Sequence, residues 1–388
     1  MIETPFTLLA ALAASSALVL WLDGRPAMRP LFQRVPAIFW IYFLPMLAST
    51  AGLLPSASPV YSALSRYLLP ACLVLMLLSS DLRSILRLGP RALAAMAAAV
   101  LGVALGAVVA FLLLGSRLGD EAWKGFGALA GTWTGGSANL IAVATSLGLS
   151  AEVQGIAILV DTIVGYSWMG ILIALSGRQV AMDRRLHADR GEVAAIGARI
   201  EARLERDRRP MKTVDAIVLV AIALVVAAVG LALGRALPPV GDVLTPFAWG
   251  ILIVTTAGLL LSLTPLARLD GAGASSLGYA GFYLLLASVG AQADLKQVVT
   301  QPLWIVAGAI VIAVHAIVLL VALRLMRAPS FFLGAASQAS IGGYASAPVV
   351  AEIYQAGLAP VGLLLAVVGN VLGTYLGLAV AQLLRSLS

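Results

Sequence analysis

One carboxylate stands alone in hydrocarbon. Asp161 is the single acidic side chain in an apolar run of about twenty-five residues, within Ile156-Ala157-Ile158-Leu159-Val160-Asp161-Thr162-Ile163-Val164-Gly165-Tyr166. An ionisable group at that depth is costly and marks a functional position by default. Burial favours its protonated form and a bound cation favours the charged form, so such a group can exchange a proton or hold sodium. The plainer alternative is a neutral Asp hydrogen-bonded to Thr162 or Tyr166.

Two glycine-rich stretches carry further polar atoms into apolar surroundings. The first is Gly131-Thr132-Trp133-Thr134-Gly135-Gly136-Ser137-Ala138-Asn139. The second follows about 207 residues later, as Ala339-Ser340-Ile341-Gly342-Gly343-Tyr344-Ala345-Ser346-Ala347-Pro348. Non-helical backbone inside a bilayer survives only where protein buries it or a polar cavity solvates it, and paired glycines permit such backbone. Half-helix ends meeting there offer N–H groups to an anion and carbonyls to a cation. Thr134, Gly135, Gly136, Ser137, Ser340, Gly342, Gly343, Tyr344 and Ser346 are therefore the candidate ligands of a small solute. Close helix packing through small residues is the competing explanation. Glu352, just beyond the second stretch, either reaches the same cavity or lies near the membrane face. Asp81 and Asp294, each followed by Leu, read as helix-boundary caps; His315, alone in an apolar run, reads as a packing residue. Trp133 and Trp168 either line the cavity or anchor depth in the membrane.

The elements that must position these residues are membrane spans. Of 388 residues, 61% are apolar and 11% charged, with a mean hydropathy of +1.00, far from the roughly 25% charged content of soluble domains. Apolar runs at about 6–22, 36–54, 61–79, 91–115, 150–176, 213–237, 246–266, 276–291, 302–326 and 358–384 give ten spans, most near the roughly 20 residues a bilayer needs. The glycine-rich stretches, about 125–146 and 331–355, are interrupted segments. Met1–Pro5 has no basic residue, so the first run reads as a span with its N-terminus outside rather than as a cleavable leader. The lone Cys72 excludes a disulfide within the chain. The net charge of +7 sits in loops, which fits membrane orientation and not nucleic-acid binding.

Lys and Arg concentrate at 25–34, 83–91 and the central loop 177–212, which are therefore expected in the cytoplasm. That places both ends of the 125–146 stretch outside, as a re-entrant segment; a fully crossing broken helix is the alternative. Within the central loop, 192–204 has the period of an amphipathic surface helix. The two halves repeat at offsets between about 207 and 213: Ser80-Asp81-Leu82 returns as Ala293-Asp294-Leu295, Gly127-Ala128 as Gly334-Ala335, and Tyr166 as Tyr375. Asp161 pairs with Asn370, which keeps the shape and removes the charge. Five spans and one interrupted segment per half invert the second half, the plan of secondary transporters. The expected fold is thus an all-α integral membrane protein of two inverted repeats. Residues 1–176 form the first, with scaffold about 6–79 and core about 80–176. Residues 213–388 form the second, with scaffold about 213–270 and core about 271–388.

At Gly-Thr-Trp-Thr-Gly-Gly-Ser-Ala-Asn (131–139) and Gln-Ala-Ser-Ile-Gly-Gly-Tyr-Ala-Ser-Ala-Pro (338–348) the chain resembles the YjcL-like family of bacterial and plant multi-pass proteins, over nearly its whole length. More distantly it is similar to sodium/glutamate and citrate symporters and to the bile-acid and cation/proton antiporter fold. This resemblance implies a homodimer, a static scaffold and a moving elevator core, and it matches Asn139 and Asp161 to residues that hold the coupling ion, sodium or a proton, with sodium the metal such a site would take. Asn370 and Glu352 complete the expected ion set. The Gly-Gly-x-Gly turn of the glutamate and citrate carriers is not kept, since Ser137 and Ala138 follow Gly135-Gly136; no substrate carries over. There is no phosphate-cradling loop and no His-Glu-x-x-His pattern, which disfavours an ATP-driven pump or an intramembrane protease. The expectation is a non-enzymatic, cofactor-free secondary transporter of a small anionic organic solute in a bacterial cytoplasmic membrane, driven by sodium or protons. A channel and a membrane receptor or assembly factor are the competing readings.

Overall fold

A computed structural model describes residues 4–35, 37–78, 80, 85, 88–188, 209–293, 301–355 and 357–388. Asp81, Leu82, Asp294, Leu295 and the 192–204 segment lie outside the described residues. The described residues are helical, with fourteen principal helices. In chain order these are α1 (Pro5–Asp23), α2 (Ala37–Thr50), α3 (Pro59–Leu78), α4 (Pro90–Leu114), α5 (Ala122–Gly135), α6 (Ser137–Ser146) and α7 (Ala151–Ser176). The second half supplies α8 (Thr213–Ala236), α9 (Pro246–Leu261), α10 (Ala274–Gln292), α11 (Leu303–Met326), α12 (Phe331–Ile341), α13 (Gly343–Tyr354) and α14 (Ala359–Ser386).

Eight of these are long and apolar enough to cross a membrane: α1, α3, α4, α7, α8, α10, α11 and α14. The protein is an all-α integral membrane protein. All ten expected runs are helical, but α2, with Pro45 inside it, has 14 residues and α9 has 16, so about eight rather than ten spans stand on length alone. Several helices open on a hydroxyl cap followed by proline. Thr4 accepts from Thr7 N before Pro5, Ser58 from Val60 N before Pro59, and Thr245 from Ala248 N before Pro246. The cap satisfies a free N–H and the proline occupies a position whose N–H had no partner to lose.

Both glycine-rich stretches fold back on themselves. At the open end of the α5–α6 hairpin, Lys124 Nζ donates to Gly148 O at 3.3 Å and the Glu121 carboxylate accepts from Ser150 N at 3.2 Å. Further in, a Cβ at Gly131 would lie 3.1 Å from Val143 Cγ2; a straight helix would hold those residues about 18 Å apart. In α12–α13 the Tyr354 ring likewise packs on Gly334. The first stretch is thus a helical hairpin rather than one straight helix.

The hairpins enter from opposite ends of the molecule. One end collects Ser146, whose carbonyl accepts from Thr245 Oγ1, and the Asp242–Arg385 ion pair at 2.8 Å, with Arg385 over the Trp123 ring. At the other, buried Asp183 accepts from Ser330 N and Oγ at 2.8 and 2.6 Å, and Tyr354 Oη donates to Leu172 O. The tips meet between these ends: a Cβ at Gly343 would lie 3.6 Å from Gly136 Cα.

Packing divides the helices into two groups. α1, α2, α3, α8, α9 and α10 pack chiefly on one another; α4 to α7 and α11 to α14 form the other group. Contacts between the groups are sparse, made mainly by α7 on α2 and α10 and by α9 on α6 and α14. Inside the second group, glycines bring backbones together. A Cβ at Gly377 would lie 2.8 Å from Gly127 O and 3.1 Å from Gly131 Cα, joining α14 to α5, and one at Gly106 would lie 2.6 Å from Val311 O, joining α4 to α11. Without a hydrophobic force between helices in lipid, such close approach is what holds them.

Candidate functional site

Gly136 ends α5 with φ 89° and ψ 175°, and Gly343 opens α13 with φ 60°. Side chains are strained in that half of conformational space, so each hairpin can turn back only on glycine. Gly135 and Gly342 serve a different need. A Cβ on Gly135 would lie 2.6 Å from Gly369 O and 2.8 Å from Asn370 Cα, and one on Gly342 would collide with Ser346 Oγ and Gln338 Nε2.

Above the meeting tips opens a cavity of about 260 Å³. Gly135, Gly136, Ser137 and Ala138 line it from the first tip, and Gln338, Ile341, Gly342, Gly343 and Tyr344 from the second. α7 adds Asp161, Thr162, Gly165 and Tyr166, and α14 adds Asn370. The remaining wall is aromatic and comes from the other helix group: Phe39 of α2 and Tyr279, Phe282 and Tyr283 of α10, with Met76 of α3. The cavity therefore lies in the seam between the two groups.

Its polar atoms are arranged in two networks. Thr132 Oγ1 donates to Asp161 Oδ2 at 3.3 Å. Asn139 Nδ2 donates to Asn370 Oδ1 at 3.0 Å and to Gly135 O at 2.9 Å, while Asn139 Oδ1 accepts from Thr374 Oγ1 at 2.7 Å. Asn139 and Asn370 are thus partnered across the α6–α14 contact, and Asn370 lines the same cavity as Asp161. Thr134 is fully buried and its hydroxyl has no partner among the described residues, Ser340 Oγ donates to Trp133 O at 2.5 Å, and Ser346 Oγ accepts from Gln338 Nε2 at 2.7 Å. These three support the tips from behind and do not line the cavity.

Glu352 lies at the mouth of the second hairpin. Its carboxylate accepts from Gly357 N at 3.0 Å and Ala359 N at 3.2 Å, so it caps the start of α14 and does not reach the cavity. Glu352→Gln is expected to lower stability by about 1 kcal/mol, as for loss of a helix cap, read by thermal unfolding; unchanged stability would overturn the capping role.

His315 joins α11 to the second hairpin. Trp168 Nε1 donates to Ser337 Oγ at 2.8 Å, Ser337 Oγ donates to His315 Nε2 at 2.8 Å, and His315 Nδ1 donates to Ala99 O at 2.8 Å. A carbonyl can only accept, so the proton sits on Nδ1. Fully buried and satisfied at both nitrogens, His315 is a packing residue. Trp133, packed under Gly308, and Trp168 both lie outside the cavity wall. Of the ring-bearing residues that do line it, the α10 set Tyr279, Phe282 and Tyr283 carries no sequence mark beyond recurring at helical spacing, and Gln338 stands out only by its place three residues before Ile341.

The sequence model of the family described as "Protein of unknown function (DUF819)" matches residues 10–387. The chain is 26% identical over 357 residues to the uncharacterized membrane protein YjcL of Bacillus subtilis (strain 168), covering 86% of each chain.

Proposed function

The chain belongs to the DUF819 family, a family defined without an activity, and from its site we propose that the protein is a secondary active transporter of a small organic solute bearing a carboxylate. One observation carries this reading: the cavity is bounded by two re-entrant tips from opposite ends and lies in the seam between two sparsely connected helix groups. A site on such a seam can face either side as one group slides past the other, which is an elevator, with α4–α7 and α11–α14 as the moving core and the rest as scaffold. The inverted-repeat plan, with the site on discontinuous helices at the repeat interface, accompanies this mechanism.

The first turns of α6 and α13 aim free N–H groups at the tips, which suits the carboxylate. Asp161 takes up the coupling cation, sodium or a proton. Arg25, Arg29, Arg178, Arg184, Arg185, Arg268, Arg324 and Arg327 belong to the end of the second hairpin. On the positive-inside rule that end is cytoplasmic, in a bacterial inner membrane, with the N-terminus outside. Homodimerisation through the scaffold belongs to the same reading.

Uptake by proteoliposomes of the purified protein tests the proposal. A panel of labelled carboxylates under imposed sodium or proton gradients is expected to yield one class with saturable, gradient-dependent uptake. Non-saturating flux would instead indicate a channel, and no flux for any solute would indicate a receptor or assembly factor.

A further inference from the structure

The described side chains around the cavity have a common polarity. Among the described lining residues Asp161 is the only one with a charge, and none is Lys, Arg or His. Gln338 is 1% exposed and its Oε1 has no hydrogen-bond partner among the described residues, although its Nε2 is engaged by Ser346 Oγ. A buried amide oxygen left without a donor is costly unless something supplies one. Asp161 stands near the same tip: a Cβ at Gly165 would lie 3.7 Å from Asp161 Oδ1 and 3.5 Å from Ile341 Cγ2. Asp161 and Gln338, each bearing an acceptor oxygen, thus both line the cavity beside the second tip.

Aromatic rings complete the surroundings. Tyr279 and Tyr344 stand edge to face at 88°, with centroids 6.5 Å apart, and Tyr283 lies 6.0 Å from Tyr279. Ring faces attract a desolvated cation, and the effect adds to that of a carboxylate. A carboxylate, an unpartnered carbonyl oxygen and a tyrosine corner form a receptor for an N–H-rich cation.

We infer that the transported solute carries an ammonium group as well as its carboxylate, and is therefore a zwitterion of the α-amino-acid type, with the ammonium between Asp161, Gln338 and the Tyr279–Tyr344 corner. This rests on the cavity of the transport reading; the ammonium and the coupling cation take turns at Asp161.

Thermal unfolding of the purified full chain in detergent tests the inference with matched probes: L-phenylalanine and L-leucine, their deaminated counterparts 3-phenylpropionate and 4-methylpentanoate, and their N-acetyl derivatives. Binding stabilises the native state by RT ln(1 + L/Kd), with L the ligand concentration, so the unfolding temperature rises with the logarithm of ligand concentration once it exceeds Kd. At least one amino acid is expected to stabilise the protein, with at least tenfold weaker apparent affinity for the counterpart lacking the ammonium. Gln338→Leu is expected to narrow that tenfold difference without abolishing binding. Carboxylates that bind as tightly as the amino acids would overturn the zwitterion inference and leave the transport reading standing. If no amino acid binds, the inference falls, and the transport reading is then decided independently by the uptake panel.

Discussion

Asp161→Asn is expected to remove gradient-driven uptake, by roughly 100-fold, the upper range of the coupling between two sites, while the protein keeps its fold. Asparagine preserves the shape of the side chain and can still accept from Thr132 Oγ1, as Asp161 Oδ2 does at 3.3 Å, so packing gives no reason for unfolding. What disappears is the one charge among the described residues of the cavity wall. Because a carboxylate at this depth is costly to keep, its removal should leave thermal stability unchanged or raised. Uptake driven by sodium and by proton gradients in proteoliposomes reads the first effect and thermal unfolding the second. A variant that couples normally to both gradients would refute the ion site; a variant that unfolds would assign Asp161 to the architecture.

The second large effect is expected at Gly135 and Gly136, for two unlike reasons. An added methyl at Gly136 finds nothing within 4 Å, yet the residue stands at φ 89°. Gly136→Ala therefore loses only conformational energy, of order 1–3 kcal/mol. Gly135→Ala pushes a methyl against Gly369 O, the Asn370 backbone and Asn139 Nδ2. Overpacking against immobile backbone typically costs about 1–3 kcal/mol, and here it also displaces the Asn139–Asn370 hydrogen bond. The two variants should separate in a rescue experiment. Asn139→Ala makes room only for the Gly135→Ala methyl, so it should recover part of that variant's lost stability and none of Gly136→Ala's. Equal behaviour of both single variants toward that second change would refute the distinction.

Much of this site was legible in the chain because lipid is an unforgiving solvent. Gly135-Gly136 and Gly342-Gly343 stood out since hydroxyls and paired glycines have few reasons to sit in a bilayer, and their tips do lie together. Asp161 stood out for the same reason. Repeat offsets pair Asp161 with Asn370 by position and say nothing of which hydrogen bonds close, so the Asn139–Asn370 bond is visible only in the folded chain. Glu352 was ambiguous since its depth depends on where α13 ends, and the chain turns at Gln355 in time for the carboxylate to cap α14. The aromatic wall was the least legible part: Tyr279, Phe282 and Tyr283 lie on α10, in sequence far from both glycine-rich tips, and ring-bearing residues are unremarkable in a membrane helix.

The contact of α5 with α14 bears on how the protein is made. Gly127, Gly131 and Gly135 rest against a helix that occupies 359–386, the last 28-residue element of the chain. The ribosome therefore delivers the first hairpin, with its polar tip, long before the surface that buries it exists. Until Asn370 arrives, Asn139 has no cross-chain partner, and the tip must be sheltered by the translocation machinery or wait shallow in the bilayer. Burial of the first hairpin is then completed only once α14 has followed it, and a chain stalled ahead of α14 would leave that polar hairpin unclosed in the membrane.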